Sequence, residues 1–112
     1  RKLLGSAQLR RSGAVLQHGS LPLAGDLGRI CLVLLLPDRE QAQVSIRQSA
    51  ATVEQALGRR ISWESAARAL AAGFREALEL DLIESQPNPA EIQRSQQLSA
   101  ERYSVVGEVT HP

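Results

Sequence analysis

The chain has 112 residues, 43% hydrophobic and 22% charged, which fits one globular unit and excludes a globally disordered chain. Its 13 basic and 12 acidic residues leave a net charge of +1, too even for a surface that tracks phosphates. Only Trp63, Phe74 and Tyr103 are aromatic, too few for a base-stacking platform, so neither nucleic acid nor a membrane is an expected partner.

Arg1-Lys2-Leu3-Leu4-Gly5 lacks the apolar region of a signal peptide, and the chain contains no methionine, so its start is expected to lie within something longer. Residues 2–11 and 14–23 read as two strands joined at Ser12-Gly13, a short glycine-containing hairpin connection. His18 and Ser20 fall on one face of the second strand; Lys2, Ser6 and Gln8 share a face of the first. Pro22 marks a strand end, because proline cannot donate to the ladder.

Asp26 is a candidate N-cap for a helix that starts at Leu27, turns Ile30, Cys31 and Leu34 inward and stops at Pro37. The apolar run 30–36 is too short to cross a bilayer. Cys31, the single cysteine, reads as a small core residue; it excludes an intrachain disulfide and suits a reducing, cytoplasmic setting. Short helices are expected from Asp38 to about Arg47 and over Thr52 to Leu57, closed by Gly58.

Ser62 opens the strongest periodicity, in which Trp63, Ala66, Ala67, Leu70, Ala71, Phe74, Ala77 and Leu78 make a stripe expected to face the core. Residues 80–84 alternate like a short strand. Pro89 suits the first turn of a helix through Glu91, Ile92, Leu98 and Tyr103. Residues 105–112 show no pattern and are expected to be loosely docked.

Generic catalytic signatures such as the P-loop, GxGxxG, HExxH, CxxC and GxSxG do not occur. Gly25-Asp26-Leu27-Gly28 has the wrong spacing for a phosphate loop and reads as a turn. His18 and His111 have no carboxylate or cysteine at ligand spacing, so no metal is expected. Arg10-Arg11 and Arg59-Arg60 read as solvated loop ends, and Glu76, Glu79, Asp81 and Glu84 as a solvated rim. Taken singly, Lys2 is a surface lysine, and His18 with Ser20 is a polar pair on a strand.

The combined strings RKLLGSAQ, GAVLQHGSLPL and Asp26-Leu27 closely resemble the lipoate–protein ligase and octanoyltransferase family, whose distant relatives include biotin–protein ligases. Weaker likeness continues through Leu36-Pro37-Asp38, Ala56-Leu57-Gly58-Arg59, Gly73-Phe74 and Ala100-Glu101-Arg102-Tyr103. The resemblance implies an α+β class: an incomplete biotin/lipoate-ligase-like fold with an antiparallel hairpin followed by helices. Residues 1–112 would be the C-terminal part of the catalytic domain, with 1–23 a pocket-lining hairpin and 24–112 a mainly helical remainder.

By the same resemblance Lys2 contacts the carbonyl end of the activated acyl group, where an ammonium stabilises developing negative charge. Gly5, Ser6 and Ala7 would be small to admit the acyl chain, and His18, Gly19 and Ser20 would line the same pocket. The implied activity is attachment of a lipoyl or octanoyl group to a lysine of a lipoyl carrier domain. A transferase takes octanoate from acyl carrier protein; a ligase spends ATP on lipoate or octanoate; no covalently bound cofactor is implied.

Family members carry an arginine- and glycine-rich segment in an N-terminal half, and the transferase branch has a cysteine shortly before the position of Lys2. Cys31 follows the hairpin instead, and Tyr103-Ser104-Val105-Val106 stands where the family continues into Glu-Trp. A hairpin with open edges seeks a partner, so a missing N-terminal half in the same chain or another is expected. The alternatives are a non-catalytic accessory subunit of a two-chain ligase and an RNA-binding module, against which the even charge and scarce aromatics argue.

Overall fold

The computed structural model describes residues 1–104. Strands β1 (Gly5–Arg11) and β2 (Ala14–Ser20) form an antiparallel hairpin, from Gly5 opposite Ser20 to Arg11 opposite Ala14. Its two connecting residues, Ser12 and Gly13, have φ of 50° and 76°, the left-handed pair whose twist suits flanking strands. The α+β class expected from the sequence is the one observed.

The strands are shorter than the sequence suggests. Lys2 leaves the hairpin and forms a parallel bridge with Ala50; its N–H donates to Ser49 O at 2.7 Å, and Ala51 N–H donates to Lys2 O at 2.9 Å. At the other end, the carbonyls of Pro22 and Leu23 accept from Val53 and Glu54 N–H, both at 2.9 Å. These donors belong to the first turn of a helix and have no partner within it. Both ends of the hairpin are therefore tied to helical chain, not to a longer ladder.

Among the described residues four α-helices follow: α1 (Arg39–Ser49), α2 (Val53–Leu57), α3 (Trp63–Leu78) and α4 (Pro89–Leu98). Asp38, Thr52, Ser62 and Asn88 cap them by accepting from backbone N–H groups of the first turn. Thr52 with Gln55, and Asn88 with Glu91, form reciprocal capping boxes. Gly58, with φ 71°, closes α2 in the left-handed region.

Three expectations are corrected. The helix from Leu27 is a 3-10 helix that ends at Leu32, so Cys31 is fully buried while Ile30 and Leu34 remain exposed. Residues 80–84 form no strand, since alternation alone makes no ladder without a neighbouring strand. The stripe of α3 has the expected period, yet Ala66 is buried while Trp63, Leu70, Phe74 and Leu78 are exposed, Trp63 at 71%. Among the described residues no other helix or strand packs on α3. Two non-helical segments lie along it: Leu21 and Leu23 beside its N-terminal turns, and residues 82–84 beside Trp63, Ala67 and Ala71, where Arg75 Nη2 donates to Leu82 O at 3.1 Å.

The last helix runs past Leu98 into a wider π-type turn, Ser99–Tyr103; the loose docking expected for residues 105–112 falls outside the described residues. Among the described residues the buried set is small: Gly28, Cys31, Ala51, Thr52, Val53 and Ala66. The accessible surface is 9995 Å², against roughly 6,000 Å² for a compact protein of this mass. The radius of gyration is 18.0 Å, where about 13 Å is usual for this length. Among the described residues no helix is long and apolar enough to cross a membrane.

Candidate functional site

Residues directly opposite in an antiparallel pair share a side of the sheet. Gly5, Ala7, His18 and Ser20 therefore lie on one face, and Ser6, Gln8, Gln17 and Gly19 on the other. Across that second face Gln8 Nε2 donates to Gln17 Oε1 at 3.1 Å, and Arg10 Nε donates to Gln8 Oε1 at 3.0 Å. Lys2 stands just before the hairpin with its side chain over Gly5, where an added Cβ would lie 3.9 Å from Lys2 Cε.

A cavity of about 330 Å³ opens beside this point. Lys2, Gly5 and Ser20 contribute its edge, and Leu27, Ile30 and Ile46 provide apolar wall. The structure thus brings together Lys2, Gly5 and Ser20 of the residues anticipated from sequence. Ser6, Ala7, His18 and Gly19 do not line this cavity. Of the wall residues the sequence singled out only Leu27, as a helix start, and Ile30, as an inward position; Ile46 was not singled out, because nothing local links it to a strand in the hairpin.

Backbone bonds and one guanidinium fix Lys2 to the end of α1. Arg1 Nε donates to Ala50 O at 3.0 Å, and Arg1 Nη2 donates to Arg47 O at 3.1 Å and to Gln55 Oε1 at 3.2 Å. Gln55 Oε1 also accepts from Thr52 N–H at 3.1 Å, and Thr52 Oγ1 accepts from Gln55 N–H at 3.2 Å. Thr52 is 1% exposed, and its capping partners satisfy it there.

A second tie joins α1 to the turn after the hairpin. Asp26 accepts from Arg47 Nε at 2.9 Å and from Arg47 Nη2 at 2.7 Å, a bidentate pair, and from Gly28 N–H at 2.9 Å. The Arg47 hydrogen bond first, and the Gly28 N–H second, hold the Asp26 carboxyl down at about 2, below its usual 3.8. The same bond raises the Arg47 guanidinium further above its already high value. Gly28 leaves room for this pair, since a Cβ there would come within 2.9 Å of Arg47 Nε. The Gly25–Gly28 stretch is accordingly a capped turn, as its spacing suggested.

Of the two arginine pairs read as loop ends, Arg60 meets Glu54 at 3.0 Å. Cys31 is completely buried and unbonded to another cysteine, in keeping with a core role.

No family model matches the chain, and no solved structure matches it. Among curated relatives, it is 40% identical over 106 residues to Octanoyltransferase LipM of Symbiobacterium thermophilum, covering 92% of this chain and 39% of that protein. It is 37% identical over 106 residues to Octanoyltransferase LipM of Exiguobacterium sibiricum, covering 92% and 38%. It is 34% identical over 107 residues to Octanoyltransferase LipM of Brevibacillus brevis, covering 93% and 39%. The chain thus spans about two-fifths of the length of these relatives. With likeness running through nearly all of its residues, the chain belongs to the lipoate–protein ligase and octanoyltransferase family, as a C-terminal portion of such a protein.

Proposed function

We propose that this chain supplies the lysine-bearing part of an acyl site in an octanoyltransferase that modifies a lysine on a lipoyl carrier domain. The observation that carries this reading is the position of Lys2 at the edge of an apolar cavity of about 330 Å³. A fatty acyl chain fits apolar wall, and its carbonyl would then sit at the polar edge beside the ammonium. In the overall reaction the thioester of an acyl carrier protein is cleaved and an amide to the acceptor lysine forms. The acceptor nitrogen loses a proton, and the donor leaves as its thiol.

Negative charge develops on the carbonyl oxygen as the tetrahedral intermediate forms, and an ammonium held beside it lowers that barrier. A thiol that carries the acyl group between donor and acceptor belongs to a part of the protein outside this chain, because Cys31 is sealed in the core. The relatives are named as octanoyltransferases, which favours a thioester donor over an ATP-dependent ligase. Residues 1–23 serve as the pocket hairpin and the remainder as its helical support, completed by the rest of the protein. The large open surface and the uncovered face of α3 support that requirement.

The test is Lys2→Ala in the full-length protein, assayed with octanoyl acyl carrier protein and a lipoyl domain without ATP. Transfer should fall by about two to three orders of magnitude, on the scale of losing one oxyanion-stabilising group, with an unchanged unfolding midpoint. Undiminished turnover would show that Lys2 has no part in the chemistry.

A further inference from the structure

We propose that Arg1 and Gln55 are positioning residues that hold Lys2 at the acyl carbonyl; the proposal rests on the acyl-site role of Lys2. The carbonyls at a helix C-terminus lack partners within the helix. At the end of α1, three of the last four carbonyls are taken by Arg1 and Lys2. Arg47 O and Ala50 O receive the Arg1 guanidinium, and Ser49 O receives the Lys2 N–H. Ala51 N–H returns a bond to Lys2 O. The backbone of Lys2 is thereby pinned on both sides, and its side chain alone remains to place the ammonium.

Gln55 brings a second helix into the same clamp. Its Oε1 accepts at once from Arg1 Nη2 and from Thr52 N–H, so Arg1 spans the end of α1 and the start of α2. A planar guanidinium with several fixed donors bridges three acceptors in this way; an ammonium is a point charge and does not reproduce the fork. The cation also lies at the negative end of the α1 dipole, which favours its placement there. Loss of the clamp frees the chain before Gly5, and a displacement of about 1 Å at a reacting group costs up to a hundredfold in rate.

The experiment uses the full-length protein with octanoyl acyl carrier protein and a lipoyl domain. Arg1→Gln is expected to lower kcat about tenfold, part of the loss a 1 Å misplacement brings, with KM for the donor within about twofold. Arg1→Lys restores part of kcat. Gln55→Met loses kcat as Arg1→Gln does, and the double variant is no worse than either. Gln55→Glu keeps the acceptor and the cap, and retains wild-type kcat.

Because Gln55→Met also weakens a helix cap, Arg1→Gln, whose side chain is exposed, decides the case if the former does not fold. Turnover per folded molecule within about twofold of wild type in Arg1→Gln, beside an inactive Lys2→Ala, overturns the positioning role and leaves the acyl site standing. Full activity of Lys2→Ala removes both.

Discussion

Gly19 lies so close to Gly5 across the hairpin that a Cβ on Gly19 would stand 2.9 Å from the Gly5 carbonyl oxygen. The obstacle is backbone within a paired ladder, so it has little freedom to yield. Gly19→Ala is expected to destabilise the protein by about 1–3 kcal/mol, the usual range for overpacking, read as a lowered denaturant midpoint. Gly73, in the middle of α3 with nothing within 4 Å of an added Cβ, should show the opposite sign. Ala there gains about 0.5–1 kcal/mol in the isolated chain.

Asp26 and Arg47 give the fold an acid-sensitive tie. A carboxyl held at about 2 against a usual 3.8 contributes stability that is complete above pH 3.8 and fades as pH falls toward 2. Both partners are about half exposed, so the contribution is modest and shrinks with added salt. Asp26→Asn should flatten the stability profile across that acid window. Gly28→Ala should push the guanidinium aside and return the Asp26 carboxyl toward its ordinary value, which carboxyl NMR titration would detect; a value still near 2 would contradict the geometry.

Thr52 caps α2 from a fully buried position, with Gln55 reciprocating. Thr52→Ala should lower stability by about 1–2 kcal/mol through loss of the cap and exposure of an unsatisfied donor. Ser62→Ala, at the exposed start of α3, should cost less, near 0.5–1 kcal/mol. Equal effects in thermal unfolding would argue against the part that burial plays here.

Ile46 forms apolar wall of the cavity that Lys2 edges. Ile46→Phe in the full-length protein should narrow it and favour acyl donors shorter than octanoyl, with a change in kcat/KM of about 10–200-fold, the range for a methylene-scale pocket difference. Competition between hexanoyl and octanoyl carrier proteins measures this. An unaltered chain-length profile would separate the cavity from the acyl tail.

The legible part of this molecule was its local chemistry. Asp26, Asp38, Thr52, Ser62 and Pro89 announced helix starts because a cap acts within three or four residues of itself. Ser12-Gly13 announced the hairpin for the same reason. What sequence did not reveal lies at long range: Lys2 was read as part of a strand, whereas its backbone pairs with Ala50. The Arg1 to Gln55 bond spans 54 positions, and no periodicity encodes it. On α3 the pattern of Trp63, Leu70, Phe74 and Leu78 was correct, but a pattern states which face is apolar and not whether the surface that covers it lies in the same stretch of chain. Of the residues around the cavity, Lys2, Gly5 and Ser20 were among those singled out in the sequence, while Leu27, Ile30 and Ile46 join them only through folding.

The bond from Arg1 to Gln55 also orders events in time. A hairpin closed by two turn residues forms in about 1–10 µs, whereas a contact between residues 54 positions apart must first overcome the entropy of a much larger loop. The strands are therefore expected to precede the clamp, and Lys2 reaches its position at the cavity edge only once α1 and α2 stand. The geometry around that cavity is then the last property this stretch acquires during folding.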